Sequence, residues 1–444
     1  MLSIEAQNRI NQLNPWLVNR EKGETALLRF IPSEYILRDL EKTPTFSNRA
    51  FLIVGPRQAG KSTMIWHQLR QYSRDILFLN MEDPLLRSAC TNPIEFIATF
   101  RERYEFVKAV FIDEIQHMTE AGLFIKGLVD AKLNVPIWIS GSSSFDLLSK
   151  TRESLAGRAV KRKLLPFSIT EIINHHPTSN PIENQQMCLK IIDHSMIYGT
   201  YPAVYLSDNV DHKALFLGDL VDSLILRDAS DLYKIKRIDA FRKLLTLLAG
   251  QIGNLLNLSE TASLCGVDIG TISSYIEILE ESHIIKRLKP FAEGKRREIT
   301  GTPKVFFIDN GIRNQLLNNF ISQIELRTDK GPLFENWVFT EIYKSLPFQS
   351  DLKFWRSKSK AEVDFVIEHG GKTFAIEVKA SNIVKPNVGK SIHSFLSAYS
   401  IKKLAIVNYS LEQQIELYDT QVEFITPIQL SNWLKRILIH EMKD

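Results

Sequence analysis

Ala50-Phe51-Leu52-Ile53-Val54-Gly55-Pro56-Arg57-Gln58-Ala59-Gly60-Lys61-Ser62-Thr63 is the stretch on which the fold turns. Its first five residues are a short aliphatic and aromatic run, the composition of a strand covered on both faces. The next eight fit G-x-x-x-x-G-K-[ST], and helical spacing follows from Thr63 to Arg70. A strand, a glycine-rich turn and a helix in this order form a phosphate cradle. The glycines let backbone N–H groups turn inward, and the helix adds its positive N-terminal end. Gly55, Pro56, Arg57, Gln58, Ala59 and Gly60 are therefore read as the loop that wraps a triphosphate. Lys61 is assigned to the β- and γ-phosphates, Ser62 to the magnesium ion of Mg-ATP and Thr63 to the α-phosphate.

Further apolar runs follow at Ile76–Leu79, Ala109–Ile112 and Pro136–Ile139, separated by helical stretches such as Pro93 to Tyr104. This alternation predicts an α/β domain with a parallel sheet. The third run ends in Asp113-Glu114. Successive side chains leave a strand in opposite directions, which permits separate roles. Asp113 is expected to hold the magnesium shell and Glu114 to polarise the attacking water. The fourth run leads into Ser140-Gly141-Ser142-Ser143-Ser144. Either Ser140 or Ser142 orients that water, or the segment is a turn that caps the next helix. Arg158, in Ser154-Leu155-Ala156-Gly157-Arg158, either contacts a γ-phosphate, in cis or across a subunit boundary, or is an ordinary surface arginine.

The chain has 444 residues, too many for one ordinary core. Segments are expected at 1–48 (helical), 49–166 (the P-loop core), 167–238 (a helical, lid-like region), 239–310 and 311–444. Hydrophobic residues make up 44% and charged residues 24%, the balance of a globular protein. The net charge of +4 confines any nucleic-acid surface to a local patch. The three cysteines, Cys90, Cys188 and Cys265, form no C-x-x-C pair, so no zinc ribbon or disulfide framework is indicated and a reducing cytoplasm is expected. No apolar run reaches membrane-spanning length, and the first residues lack a secretory pattern.

In the middle segment, Phe241, Leu244, Leu245 and Leu248 share a helical face. A second helix opens at Leu258-Ser259-Glu260 with Ser259 as its cap and breaks at Gly266. A third runs from Thr271 to Glu281. Strands at Ile284–Phe291 and Lys304–Ile308 flank a basic tip, Lys295-Arg296-Arg297. The order is that of a winged helix-turn-helix. Ser273, Ser274 and the tip are candidate phosphate contacts, while Glu277, Glu280 and Glu281 oppose tight binding, so DNA is the expected partner on balance.

Near the C-terminus, Ala361-Glu362-Val363-Asp364-Phe365-Val366-Ile367 sets an aspartate inside an apolar alternation. After the turn His369-Gly370-Gly371, Phe374-Ala375-Ile376-Glu377-Val378-Lys379 supplies E-x-K. Antiparallel pairing would place Asp364 beside Glu377, and a divalent cation between them would relieve their repulsion. Lys379 would then activate water or stabilise the phosphate. Taken alone, E-x-K is also explained by a structural ion pair on an exposed sheet face.

The four segments Gly55–Ser62, Asp113-Glu114, Gly141-Ser142-Ser143 and Leu155–Arg158 together resemble the bacterial and archaeal AAA+-type ATPases that carry a C-terminal DUF4143 domain. The likeness continues through Gly199-Thr200-Tyr201-Pro202 and Leu226-Arg227-Asp228 and covers nearly the whole chain. It implies a restriction-endonuclease-like, PD-(D/E)XK-type α/β domain at the end. It also implies that Glu335, on the helix opened by Gly331-Pro332-Leu333-Phe334, completes the metal site. Two functions then compete: an ATP-hydrolysing enzyme that cuts DNA, and an ATP-controlled switch that binds DNA or protein through an inactive nuclease-like fold. A kinase-like role fits the Asp113-Glu114 pair less well. A homo-oligomer or a partner protein is compatible with either.

Overall fold

The computed structural model describes residues 1–19, 23–42, 49–72, 74–141, 157–177, 180–223, 235–292, 301–347 and 349–439. The chain forms two compact units, Met1–Pro166 and Phe167–Asp444.

The first unit is a parallel sheet of five strands, β1 (Ala50–Val54), β2 (Ile76–Asn80), β3 (Ala109–Asp113), β4 (Ile137–Gly141) and β5 (Ala159–Lys163), in the order β2-β3-β4-β1-β5. Period-two alternation splits its side chains between two cores. Leu52, Val54, Leu77, Leu79, Val110, Ile112 and Ile139 face one, with Phe96, Phe100 and Phe124 from the covering helices. Phe51, Ile53, Phe78, Phe111 and Trp138 face the other, with Met64, Ile65 and Trp66 of the helix Lys61–Leu69. A sheet covered on both faces explains why its strands read as unbroken apolar runs.

The N-terminal segment belongs to this unit and covers the open edge of β2. Asn14 is fully buried. Its Nδ2 donates to the Phe78 carbonyl (2.8 Å), and its Oδ1 accepts the Phe78 N–H (2.7 Å). Trp16 Nε1 donates to the Ile76 carbonyl (2.7 Å). These side chains supply the hydrogen bonds that a sixth strand would have made.

The second unit joins helices to a sheet of eight strands. These are β6 (Ile285–Pro290), β7 (Lys304–Phe307), β8 (Asp351–Arg356), β9 (Glu362–His369), β10 (Lys372–Val378), β11 (Lys403–Val407), β12 (Gln413–Leu417) and β13 (Thr420–Ile425), in the order β12-β13-β11-β10-β9-β8-β6-β7. The helices Ile238–Gly250, Leu258–Cys265 and Ile269–Glu281 precede β6 and β7 and pack Phe241, Leu244, Leu245, Leu248, Ile272, Ile276 and Leu279 into one core. The second helix is capped by Asn257, which accepts the Glu260 N–H (3.2 Å), and not by Ser259; it ends on Gly266 at φ 68°. The basic tip Lys295-Arg296-Arg297 and the Leu226-Arg227-Asp228 segment lie outside the described residues.

The segment boundaries expected at 238 and 310 fall inside this unit. β6 pairs antiparallel with β7 through Ile285–Leu288, then parallel with β8 at Lys289 and Pro290, so the wing and the C-terminal sheet are continuous. Asn336, fully buried on the helix Lys330–Ser345, covers the β7 edge. Its Oδ1 accepts the Phe307 N–H (2.8 Å) and its Nδ2 donates to the Phe307 carbonyl (3.0 Å).

Asn14→Ala leaves the N–H and C=O of Phe78 without these partners. It is expected to cost about 2–4 kcal/mol of the first unit's stability, read from the shift in urea midpoint at constant m. A loss within 0.5 kcal/mol would show that water replaces the amide.

Candidate nucleotide and acidic sites

At the end of β1 the backbone passes so close to its neighbour that a Cβ on Gly55 would come within 1.9 Å of the Leu164 carbonyl oxygen. The loop then reverses through Gln58 (φ 58°) and Gly60 (φ 88°), and Gly60 opens the helix Lys61–Leu69. Lys61 is buried, and its Nζ donates to the Gly55 (3.0 Å) and Pro56 (2.7 Å) carbonyls. Ser62 and Thr63 are half-buried on the first helical turn.

Three donors converge on Asp113 Oδ1 at the end of β3: Ser62 Oγ (3.0 Å), Ser140 Oγ and the Glu114 N–H (3.1 Å). Burial holds the Asp113 carboxyl above its ordinary range against the Ser140 hydrogen bond, and the Glu114 charge adds to the rise. Magnesium takes hard oxygen ligands, so the Ser62 hydroxyl and Asp113 carboxylate fit such an ion, whose charge would offset that burial. Glu114 sits at φ 54°, uncommon for a residue with a side chain, and Gln116 Nε2 donates to its Oε2. Ligand atoms of Glu82, Glu114 and His117 lie within 4.8 Å of one another.

Of the two serines considered, Ser140 is at the site and Ser142 lies outside the described residues. Arg158 requires correction as an in-cis residue. Its carbonyl accepts the Ala50 N–H, and β5 runs parallel to β1 from Ala50↔Ala159 to Val54↔Lys163. Arg158 therefore stands at the start of β1, about 15 Å of strand from the loop at ~3.3 Å per residue. There Nε pairs with Asp130 Oδ1 (2.7 Å). The basic residue whose register meets the loop end is Lys163. Sequence reading also passed over Arg38. This buried residue donates from Nη1 to the Ala59 carbonyl (3.0 Å) and from Nη2 to the Leu165 carbonyl (2.5 Å), clamping the loop.

In the second unit, β9 and β10 pair antiparallel around Gly370 (φ 57°) and Gly371 (φ 77°), bringing Asp364 beside Glu377. Asp364 Oδ2 accepts the Val378 N–H (2.7 Å). Lys379 Nζ pairs with Glu377 Oε1 (2.5 Å), while the buried Glu377 Oε2 has no hydrogen-bond partner. Glu335 joins this group from its helix, and an unforeseen cation meets it. Lys304, buried at the start of β7, lies 3.3 Å from Glu335 Oε1 and 2.5 Å from Glu362 Oε1. Burial, then the Asp364 charge, push Glu335 up to about 8 against Lys304. Burial and Asp364 likewise push Glu377 up to about 7 against Lys379. Burial also raises Asp364. The unpartnered Glu377 oxygen and the neighbouring Asp364 carboxylate make a donor set that fits one oxygen-ligated divalent cation.

Family models match three parts of the chain: an AAA domain over residues 47–173, a domain of unknown function (DUF8612) over 189–323 and a domain of unknown function (DUF4143) over 330–430. With the parallel sheet and phosphate loop in place, the protein has an AAA-type P-loop ATPase fold joined to a C-terminal DUF4143 domain. An uncharacterized protein of Methanocaldococcus jannaschii is 25% identical, with 85% of each chain covered. Another, from Haemophilus influenzae, is 24% identical over 94% of this chain and 98% of its own. Among solved structures, the Walker-type ATPase of Pyrococcus abyssi is 14% identical, covering 65% of this chain and 97% of that one at a TM-score of 0.41. The Aeropyrum pernix ORC1 protein in complex with DNA is 12% identical, covering 70% and 97% at 0.31. Among the described residues, no single helix is long and apolar enough to cross a membrane.

The acidic cluster sets a pH dependence. Native Glu377 and Glu335 keep their protons up to about pH 7 and 8, whereas unfolded glutamates ionise near 4.5. The native state thus binds more protons between these limits, and their contribution to stability is lost as pH rises through them. Urea unfolding in chelator is expected to give lower stability at pH 8 than at pH 5, with Glu377→Gln removing roughly 1–3 kcal/mol of that drop. An identical drop in the variant would refute the assignment.

Proposed function

We propose that this chain binds and hydrolyses Mg-ATP at the edge formed by β1, β3 and β4, and that its second unit acts on DNA through a metal-dependent phosphodiester-cleaving site. The convergence of Ser62, Ser140 and the Glu114 N–H on Asp113 Oδ1 carries the first part. Lys61 exchanges its loop carbonyls for β- and γ-phosphate oxygens when nucleotide enters. Ser62 and Asp113 hold the cation, which supplies charge neutralisation to the phosphates. Ser140 fixes Asp113. Glu114, on the residue that follows, orients the attacking water and takes up its proton. For Arg158, paired with Asp130, the two readings that remain are a contact in trans with a neighbouring subunit's nucleotide and an ordinary surface arginine.

The unpartnered Glu377 oxygen beside Asp364 supports the second part. Asp364 and Glu377 hold the ion, and Lys379, held by Glu377, faces the scissile phosphate. The winged helix-turn-helix supports duplex binding. Ser274 spends its hydroxyl on the Gly270 carbonyl (3.1 Å), and Glu280 is neutralised by Lys286 and Arg287, so the phosphate contacts fall to Ser273 and the wing. A switch that binds without cutting is the second reading, favoured by Lys304, whose ammonium occupies the Glu335–Glu362 side of the cluster.

Lys61→Ala is expected to lower ATP affinity about 100-fold or more in equilibrium binding, and Glu114→Gln to keep binding while slowing phosphate release about 100-fold or more. Normal hydrolysis by Glu114→Gln would remove its assigned role. Asp364→Ala is expected to abolish DNA cleavage in magnesium or manganese while ATP turnover continues. Intact DNA under every condition, with and without ATP, would establish the switch instead.

A further inference from the structure

The acidic cluster of the second unit holds more carboxylates than a single divalent ion needs. Asp364 and Glu377 meet across β9 and β10, and Glu335 and Glu362 face them from the helix Lys330–Ser345 and the start of β9. The buried ammonium of Lys304 stands between the last two, 3.3 Å from Glu335 Oε1 and 2.5 Å from Glu362 Oε1. Arg356 Nη1 takes the other oxygen of Glu362 (2.8 Å). Lys304 is further held over the Phe354 ring, 5.5 Å from its centroid. Two-metal phosphodiesterases place their ions ~3.5–4 Å apart, bridged by carboxylates.

We infer that Lys304 is a resident cation of this cluster, filling with its ammonium the Glu335–Glu362 side where a second metal ion would sit and leaving only the Asp364–Glu377 side for one divalent ion. The inference deepens the cleavage reading and rests on it for the Asp364–Glu377 ion alone. A fixed ammonium cannot be removed by a chelator, so this part of the cluster's charge compensation is independent of metal supply. Because Lys304 belongs to β7, that compensation comes from the wing.

Manganese binding to the nucleotide-free full chain tests this directly, in an Asp113→Asn background that removes the carboxylate of the nucleotide site. The parent is expected to take up one Mn2+ per chain by titration calorimetry, lost on Asp364→Asn. Lys304→Met, which keeps the aliphatic stem without the charge, is expected to take up two, and Lys304→Met with Glu335→Gln to return to one. An unchanged count in Lys304→Met overturns the inference. If that variant is unfolded without metal, its refolding by Mn2+ supports the inference, and failure to refold at a concentration that fills the parent site overturns it. A parent that binds none, with a Lys304→Met variant that binds one, keeps Lys304 as the resident cation and sinks the wild-type metal site.

Discussion

A carboxylate taken out of water must find donors or a cation, and both candidate sites are arranged around that cost. In the first unit the cost falls on Asp113, at the end of a strand whose every residue is buried. Two hydroxyls and a backbone N–H converge on one of its oxygens. None of these donors carries charge, so they lessen the penalty without cancelling it, and the carboxyl stays raised. A divalent ion beside Ser62 would offset it, and would then couple the stability of the strand end to metal binding. In the second unit the same cost is divided differently. Lys304 and Lys379 supply permanent charge, and the oxygen left over is on Glu377.

The sheets that carry these carboxylates have edges, and each unit closes one with a side chain acting as a strand. Asn14 offers Phe78, and Asn336 offers Phe307, the donor and acceptor of a primary amide, the same pair a neighbouring peptide would present. The opposite edges are handled by polarity. β5 reads Ala-Val-Lys-Arg-Lys, and β12 is mostly exposed and polar. Asparagine suits a buried edge because it satisfies two backbone groups without extending the sheet.

The phosphate loop, Asp113-Glu114 and the E-x-K strand were legible because their chemistry follows from local geometry: a run of apolar residues, a turn, and a fixed period. The Gly370-Gly371 turn set the register that joins Asp364 to Glu377, so this long-range pair was readable too. What escaped was set by tertiary packing. Arg38 reaches the loop from far upstream, and Lys304 reaches Glu335 from the wing; no spacing rule connects either to its partner. Arg158 shows the converse. One reading of its Leu-Ala-Gly-Arg segment gave it a γ-phosphate contact in cis, but the parallel register of β5 carries it to the far end of β1. Ser259 was read as the cap of a helix that Asn257 caps, and cap positions within two residues are decided by backbone angles that composition does not encode.

The wing strand explains why the second unit resists division into a helix-turn-helix module and a C-terminal sheet domain. β6 spends its first residues on β7 and its last two on β8, so one strand belongs to both modules. A hinge there would break ladder hydrogen bonds on both sides and expose buried polar groups, which is costly in a sheet interior. Lys304 begins the return strand and projects into the carboxylates, so its ammonium is fixed by the same ladder. Any force that displaces the wing must therefore also pull a buried cation from Glu335 and Glu362, leaving uncompensated charge behind. That penalty adds to the packing of Phe306 against Phe339 and Phe365 in tying the geometry of the wing to the electrostatics of the acidic cluster.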